Sequence, residues 1–101
     1  MRDRLVLQTR LEALRVGVSV YFQPPPQVKL KYPCIVYQRD DTYKAAADNV
    51  GYLFLRMYTV TAIYKDPDDD LPDRIVKLPY TTHSTSFIAD NLYHQVFTLY
   101  F

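Results

Sequence analysis

Val50-Gly51-Tyr52-Leu53-Phe54-Leu55-Arg56-Met57-Tyr58-Thr59-Val60-Thr61-Ala62-Ile63-Tyr64 is the stretch that decides the fold. It is rich in β-branched and aromatic residues and carries no proline, so it reads as one long strand. Tyr52, Phe54, Arg56, Tyr58, Val60, Ala62 and Tyr64 share one face, and Leu53, Leu55, Met57, Thr59, Thr61 and Ile63 share the other. Strands usually run about 3–10 residues, so part of this one is expected to bend or to project beyond its domain. Tyr52 to Met57 is apolar on both faces, which predicts an arm or hairpin that another subunit covers.

On the N-terminal side, Arg39 to Asn49 reads as a polar connection. Pro33 to Gln38 reads as a short strand, apolar on both sides and therefore central. Pro24-Pro25-Pro26 lacks the N–H groups a ladder needs and predicts a stiff exposed loop. The loop follows a β-prone run from Val18 to Phe22. Residues 3–15 read as a helix, because Leu7, Leu11 and Leu14 recur on one stripe and Gly17 supplies a stop. On the C-terminal side, Asp66-Pro67-Asp68-Asp69-Asp70 is a turn whose acids suit the positive end of a helix dipole. A short helix is expected from Leu71 or Pro72 to Leu78. Thr81 to Ser86 reads as an exposed Ser/Thr-rich loop. The last strand is expected from Leu92 to Phe101, with the chain ending inside it. Ala47-Asp48-Asn49 and Ala89-Asp90-Asn91 form an internal echo of two turn-favouring strand approaches. The order predicts an α+β fold, an antiparallel sheet of about four strands with both helices on one face, in a single domain over residues 1–101.

Composition limits the function. The hydrophobic fraction is 49% and the charged fraction 23%, which suits one globular core. Ten Tyr and five Phe suit half-buried sheet faces and protein interfaces. The net charge is +1 with Lys and Arg spread along the chain, unlike the basic stripe of a dedicated nucleic-acid binder. No apolar run reaches a membrane span, and no signal-peptide core follows Met1-Arg2-Asp3-Arg4, so synthesis in the cytoplasm without a membrane is expected.

Chemistry is sparse. Cys34 is the only cysteine, so no intramolecular disulfide and no thiolate zinc site can form. Its pairing with His94 or His83 as nucleophile and base is weaker than the reading of a small core residue. Asp66, Asp68 and Asp70 sit at positions 1, 3 and 5 of a calcium loop, but Leu71 replaces the turn glycine and Lys77 the closing glutamate. A helix cap is the simpler reading. Two glycines leave no phosphate loop. The expectation is no enzyme, no cofactor and no metal. Tyrosines interleaved with Lys31, Lys44, Arg56 and Lys65 could stack on single-stranded bases, a nucleic-acid-binding module being the third reading.

Val20-Tyr21-Phe22-Gln23-Pro24-Pro25, Leu30-Lys31-Tyr32-Pro33-Cys34-Ile35-Val36-Tyr37, Thr59-Val60-Thr61, Asp66-Pro67-Asp68 and Ala89-Asp90-Asn91 running on to Phe101 together resemble short head–tail joining (neck) proteins of siphophages, of the tail terminator or tail-completion type. The resemblance spans roughly residues 18–101. It implies a structural virion protein located at the head–tail interface and assembled in the host cytoplasm. Such a protein forms a homo-oligomeric, typically hexameric ring that ends the tail tube. Its partners would be the tail tube protein and the head-closure or connector proteins, and DNA would pass through the lumen without sequence-specific binding. The chain is shorter than many terminators, which leaves a head-closure or adaptor protein on the capsid side as the runner-up. Within this frame Tyr52, Phe54, Leu55 and Tyr58 are expected at subunit contacts. The loop carrying Arg39, Asp40, Asp41 and Lys44 is expected to face the tail tube or lumen.

Overall fold

The computed structural model describes residues 4–48 and 51–101, with side chains described for residues 4–40 and 56–101. The elements in order are α1 (Arg4–Glu12), β1 (Ser19–Phe22), β2 (Cys34–Asp48), β3 (Gly51–Tyr64), α2 (Leu71–Val76), β4 (Thr81–Ala89) and β5 (Leu92–Tyr100). The fold is α+β. The strands form one sheet in the order β1-β2-β3-β5-β4.

The sheet departs from the expected four antiparallel strands in two ways. It has a fifth strand, and it is mixed, because β1 runs parallel to β2 while the other neighbours are antiparallel. The fifth strand is β4, formed by the Ser/Thr-rich segment expected to be a loop. The β4–β5 hairpin is closed by Asp90 and Asn91, both at positive φ (53° and 61°) between the paired Ala89 and Leu92. That is the two-residue turn whose twist matches a hairpin and which Asp and Asn tolerate. The other Asp-Asn pair ends at Asn49, outside the described residues.

Cross-strand register sorts the side chains onto two faces. Ile35 and Tyr37 of β2, Tyr58, Val60, Ala62 and Tyr64 of β3, and Phe97 and Leu99 of β5 face the helices. They pack with Leu7 and Leu11 of α1, Leu71 and Ile75 of α2, and Phe101 in one core. The Leu7–Leu11 stripe and the Leu71–Ile75 stripe are thus the faces the helices bury, and Leu14 and Leu78 lie at its margin. The opposite face holds a smaller cluster of Cys34, Ile63 and Leu92, roofed by Leu30 from the proline-rich loop. That loop joins two parallel strands without a helix. Val28 N–H donates to the Pro25 carbonyl (3.1 Å) and Lys31 N–H to the Tyr21 hydroxyl (3.2 Å), which fixes it against the sheet.

β2 does not stop at Gln38. The expected polar connection from Arg39 continues as strand to Asp48. Its register slips between Arg39 and Tyr43, where a bulge interrupts the ladder. Three consecutive alanines and the polar residues before them carry little intrinsic strand preference. Pairing with β3 supplies what propensity does not.

Candidate functional site

The β2–β3 ladder outruns the rest of the sheet. β3 pairs with β5 from Met57 to Tyr64, and Arg56 and Phe101 then exchange backbone hydrogen bonds in both directions (3.1 and 2.9 Å). Beyond that point Gly51 to Leu55 is paired only with β2, through Asp48 to Lys44. The result is a two-stranded arm in a molecule whose principal extents, arm included, are 45 × 28 × 24 Å. In the arm the register sets Tyr52 opposite Ala47, Leu53 opposite Ala46 and Phe54 opposite Ala45. Both outer edges of this segment lack a strand neighbour in the sheet.

The expected contact residues divide accordingly. Tyr52, Phe54 and Leu55 lie on the arm by backbone position, and their side chains are outside the described residues, as are those of Asp41 and Lys44. Tyr58 lies on the body, 1% exposed in the core, with its ring 6.1 Å from that of Tyr37. Arg39 and Asp40 stand on β2, at the bulge where the arm leaves the sheet.

Cations and aromatic rings are concentrated at this base. The Arg4 guanidinium lies 4.2 Å from the Phe22 ring centre and donates to the Tyr37 hydroxyl (3.0 Å), which in turn donates to Gln8 Oε1. Arg39 lies between Phe22 and Tyr58, 6.0 and 5.8 Å from their centres. Burial pushes the Tyr37 phenol above its ordinary pKa, and the Arg4 hydrogen bond partly offsets it.

The acidic turn is bound up in structure. Asp66 Oδ1 accepts from Asp68 N–H and Asp69 Oδ1 from Leu71 N–H (2.9 Å each). The helix-capping carboxylate is therefore Asp69. Asp70, in the N-cap position, makes no cap bond. It accepts instead from Arg74 (2.8 Å) and Arg15 (3.0 Å). These bonds, Arg74 first, hold its carboxyl below the usual carboxylate range. Beside this turn a groove of about 530 Å³ opens between α2 and the sheet, with Tyr64, Phe97, Pro72 and Val76 among its lining residues and Asp68 and Asp73 on its wall.

Cys34 and the histidines are not brought together. Cys34 is fully buried and burial pushes its thiol up to about 11. His94 belongs to β5, with β3 between it and Cys34. It stacks on Phe87 at 4.6 Å between ring centres. His83 faces the helix side, edge-on to Phe97 and bonded to Gln95 Oε1 (2.7 Å).

The feature that sequence reasoning missed is the β4 edge. Thr81 to Ala89 contains neither a charge nor a proline, the devices that usually blunt an edge. Phe87 and Ile88 remain 48% and 68% exposed on its two faces. Among the described residues, no helix is long and apolar enough to cross a membrane. No protein-family model matches the chain, and no curated protein matches it.

Proposed function

We propose that this chain is a structural subunit of a ring at the head–tail interface of a long-tailed phage. The ring ends the tail tube and joins it to the head. The observation that carries the reading is the two-stranded arm. A hairpin that leaves its sheet with apolar residues alternating on both faces, as Tyr52 to Leu55 do, is stabilised when another surface covers it. A neighbouring copy is the simplest cover, and a head-to-tail contact between two different surfaces gives a ring when its rotation closes. The uncharged β4 edge accords with an architectural role.

The experiment is electron microscopy of particles made by a phage with this gene deleted. Full heads beside separate tails of abnormal length are the expected result. Heads that leak DNA beside tails of normal length would move the protein to head closure on the capsid side. Intact joined virions would overturn the neck reading.

A further inference from the structure

We propose that the groove between α2 and β4 holds the loop Gln27–Tyr32 of a second copy, so that copies join head to tail. The proposal deepens the ring reading and rests on it.

The two surfaces lie at opposite ends of one sheet. β1 forms one end, with its following loop folded onto the face away from the helices, and β4, beside α2, forms the other. A contact between unlike ends leaves the groove free on one subunit and the loop free on the other, so further copies can add until rotation closes the ring.

Charge divides along the same axis. From Val16 to Arg39 the chain contains Lys29, Lys31 and Arg39 and no acidic residue. From Asp66 to Asp90 it contains six Asp against Arg74 and Lys77. Within the acidic end, the ion pairs of the described residues involve Asp69 and Asp70 and leave out the exposed Asp68 and Asp73 of the groove. Within the basic end, Leu30 is anchored in the cluster with Cys34 and Ile63. Its neighbours Lys29 and Lys31 are both exposed. The lysines are thus displayed on a loop already fixed by the Lys31–Tyr21 hydrogen bond (3.2 Å), which lowers the ordering cost of binding.

The apolar parts match as well. Val28 and Tyr32 of the loop are 39% and 38% exposed. The groove offers the half-buried Pro72 and the 41% exposed Val76, above a floor of the buried Tyr64 and Phe97. An aliphatic and an aromatic side chain flanking two lysines suit a groove with a small apolar wall, Pro72 and Val76, beside the two carboxylates of Asp68 and Asp73.

The test uses the full chain in sedimentation velocity over a concentration series. Lys29→Glu/Lys31→Glu and Asp68→Lys/Asp73→Lys each alter only exposed side chains, and circular dichroism checks that both fold. Each variant alone is expected to need about ten-fold or more higher concentration to assemble. An equimolar mixture is expected to recover assembly, because every junction then joins opposite charges. Carbodiimide treatment of the unaltered protein, mixed from light and ¹⁵N-labelled halves, is expected to give intermolecular links from Lys29 or Lys31 to Asp68 or Asp73. Undiminished assembly of either variant, a mixture that does not recover, or the lack of those links overturns the groove contact. None of these results bears on the gene-deletion phenotype. Joined virions from the deletion, together with the expected links, would leave the contact standing and sink only the neck reading.

Discussion

The guanidinium of Arg15, just beyond α1, donates to the carboxylate of Asp69 at the start of α2, with that carboxylate only 10% exposed. The tie is reciprocated: Arg74 of α2 donates to the Leu14 carbonyl at 2.7 Å. Asp69 also caps Leu71, so one half-buried residue both starts α2 and docks it to the end of α1. Replacing Arg15 by Met keeps the apolar stem and strands the charge. The expected cost is about 1–2 kcal/mol, read as a lower urea midpoint at unchanged slope. Asp69→Asn should cost less than Arg15→Met, since it keeps an acceptor for Leu71.

Asp70 gives the acid limb of the stability profile. Its carboxyl is held below the usual range by Arg74 first and Arg15 second, so the unfolded chain binds its proton at a higher pH than the folded one. Its contribution is therefore present above the ordinary carboxylate pKa and is lost as pH falls through the depressed folded value. Thermal melts from pH 6 downward should show this loss, and Asp70→Asn should flatten that limb while leaving the neutral-pH slope unchanged.

How far the sequence reveals this fold depends on what each segment buries. The Leu7–Leu11 stripe, the alternation Tyr58-Val60-Ala62-Tyr64 and the Leu71–Ile75 pair were legible because each has one face in the core, and burial is what writes a period into a sequence. β4 was not legible: seven of its residues, Thr82 to Ile88, are exposed, so no face enforces alternation. The far half of β2 was hidden by its alanines. The parallel pairing of β1 could not be read either, since strand direction lies in the path of the Gln23–Pro33 loop rather than in either strand's pattern. Of the candidate contact residues, the position of Tyr52 and Phe54 on a projecting hairpin followed from double-faced apolarity. Tyr58 shares their alternation but lies where β5 and the helices cover it, and alternation alone does not report where a neighbouring strand ends.

Cys34 should behave as an inert thiol until the chain opens. Burial raises its pKa from about 9 to about 11, so the neutral form is favoured in the folded state. The associated stability is complete below the unfolded pKa and is lost as pH rises from about 9 towards 11. Alkylation by iodoacetamide at pH 8 should be slow in buffer and rapid in denaturing urea. Fast labelling of the native chain would show that the Leu30 roof opens readily.

Tyr37 joins the core to the base of the arm, its ring 4.9 Å from that of Phe22 and its hydroxyl between Arg4 and Gln8. Tyr37→Phe keeps the ring and removes one oxygen from two side chains that can turn to solvent. The expected loss is about 1 kcal/mol, or roughly 4–8 °C in a domain of this size. Tyr37→Ala opens a cavity under Val60 and Tyr58 and should cost about 3–5 kcal/mol, enough to leave much of the chain unfolded.

The arm itself separates folding from assembly. Every described core residue of β2 precedes the bulge, and every described core residue of β3 follows Arg56. A chain in which an Asn-Gly turn joins Tyr43 to Arg56, which are paired in the ladder, therefore retains that core, and Asn-Gly suits the tight hairpin turn required. Such a chain should keep its stability to within about 1 kcal/mol and assemble more weakly than the intact chain, since it keeps the loop and groove but loses the arm, as read by light scattering. Undiminished assembly by the shortened chain would show that the arm is not a subunit contact. Its failure to fold would show that β2 and β3 need the full ladder to hold their register, and the arm would then belong to the stability of the domain.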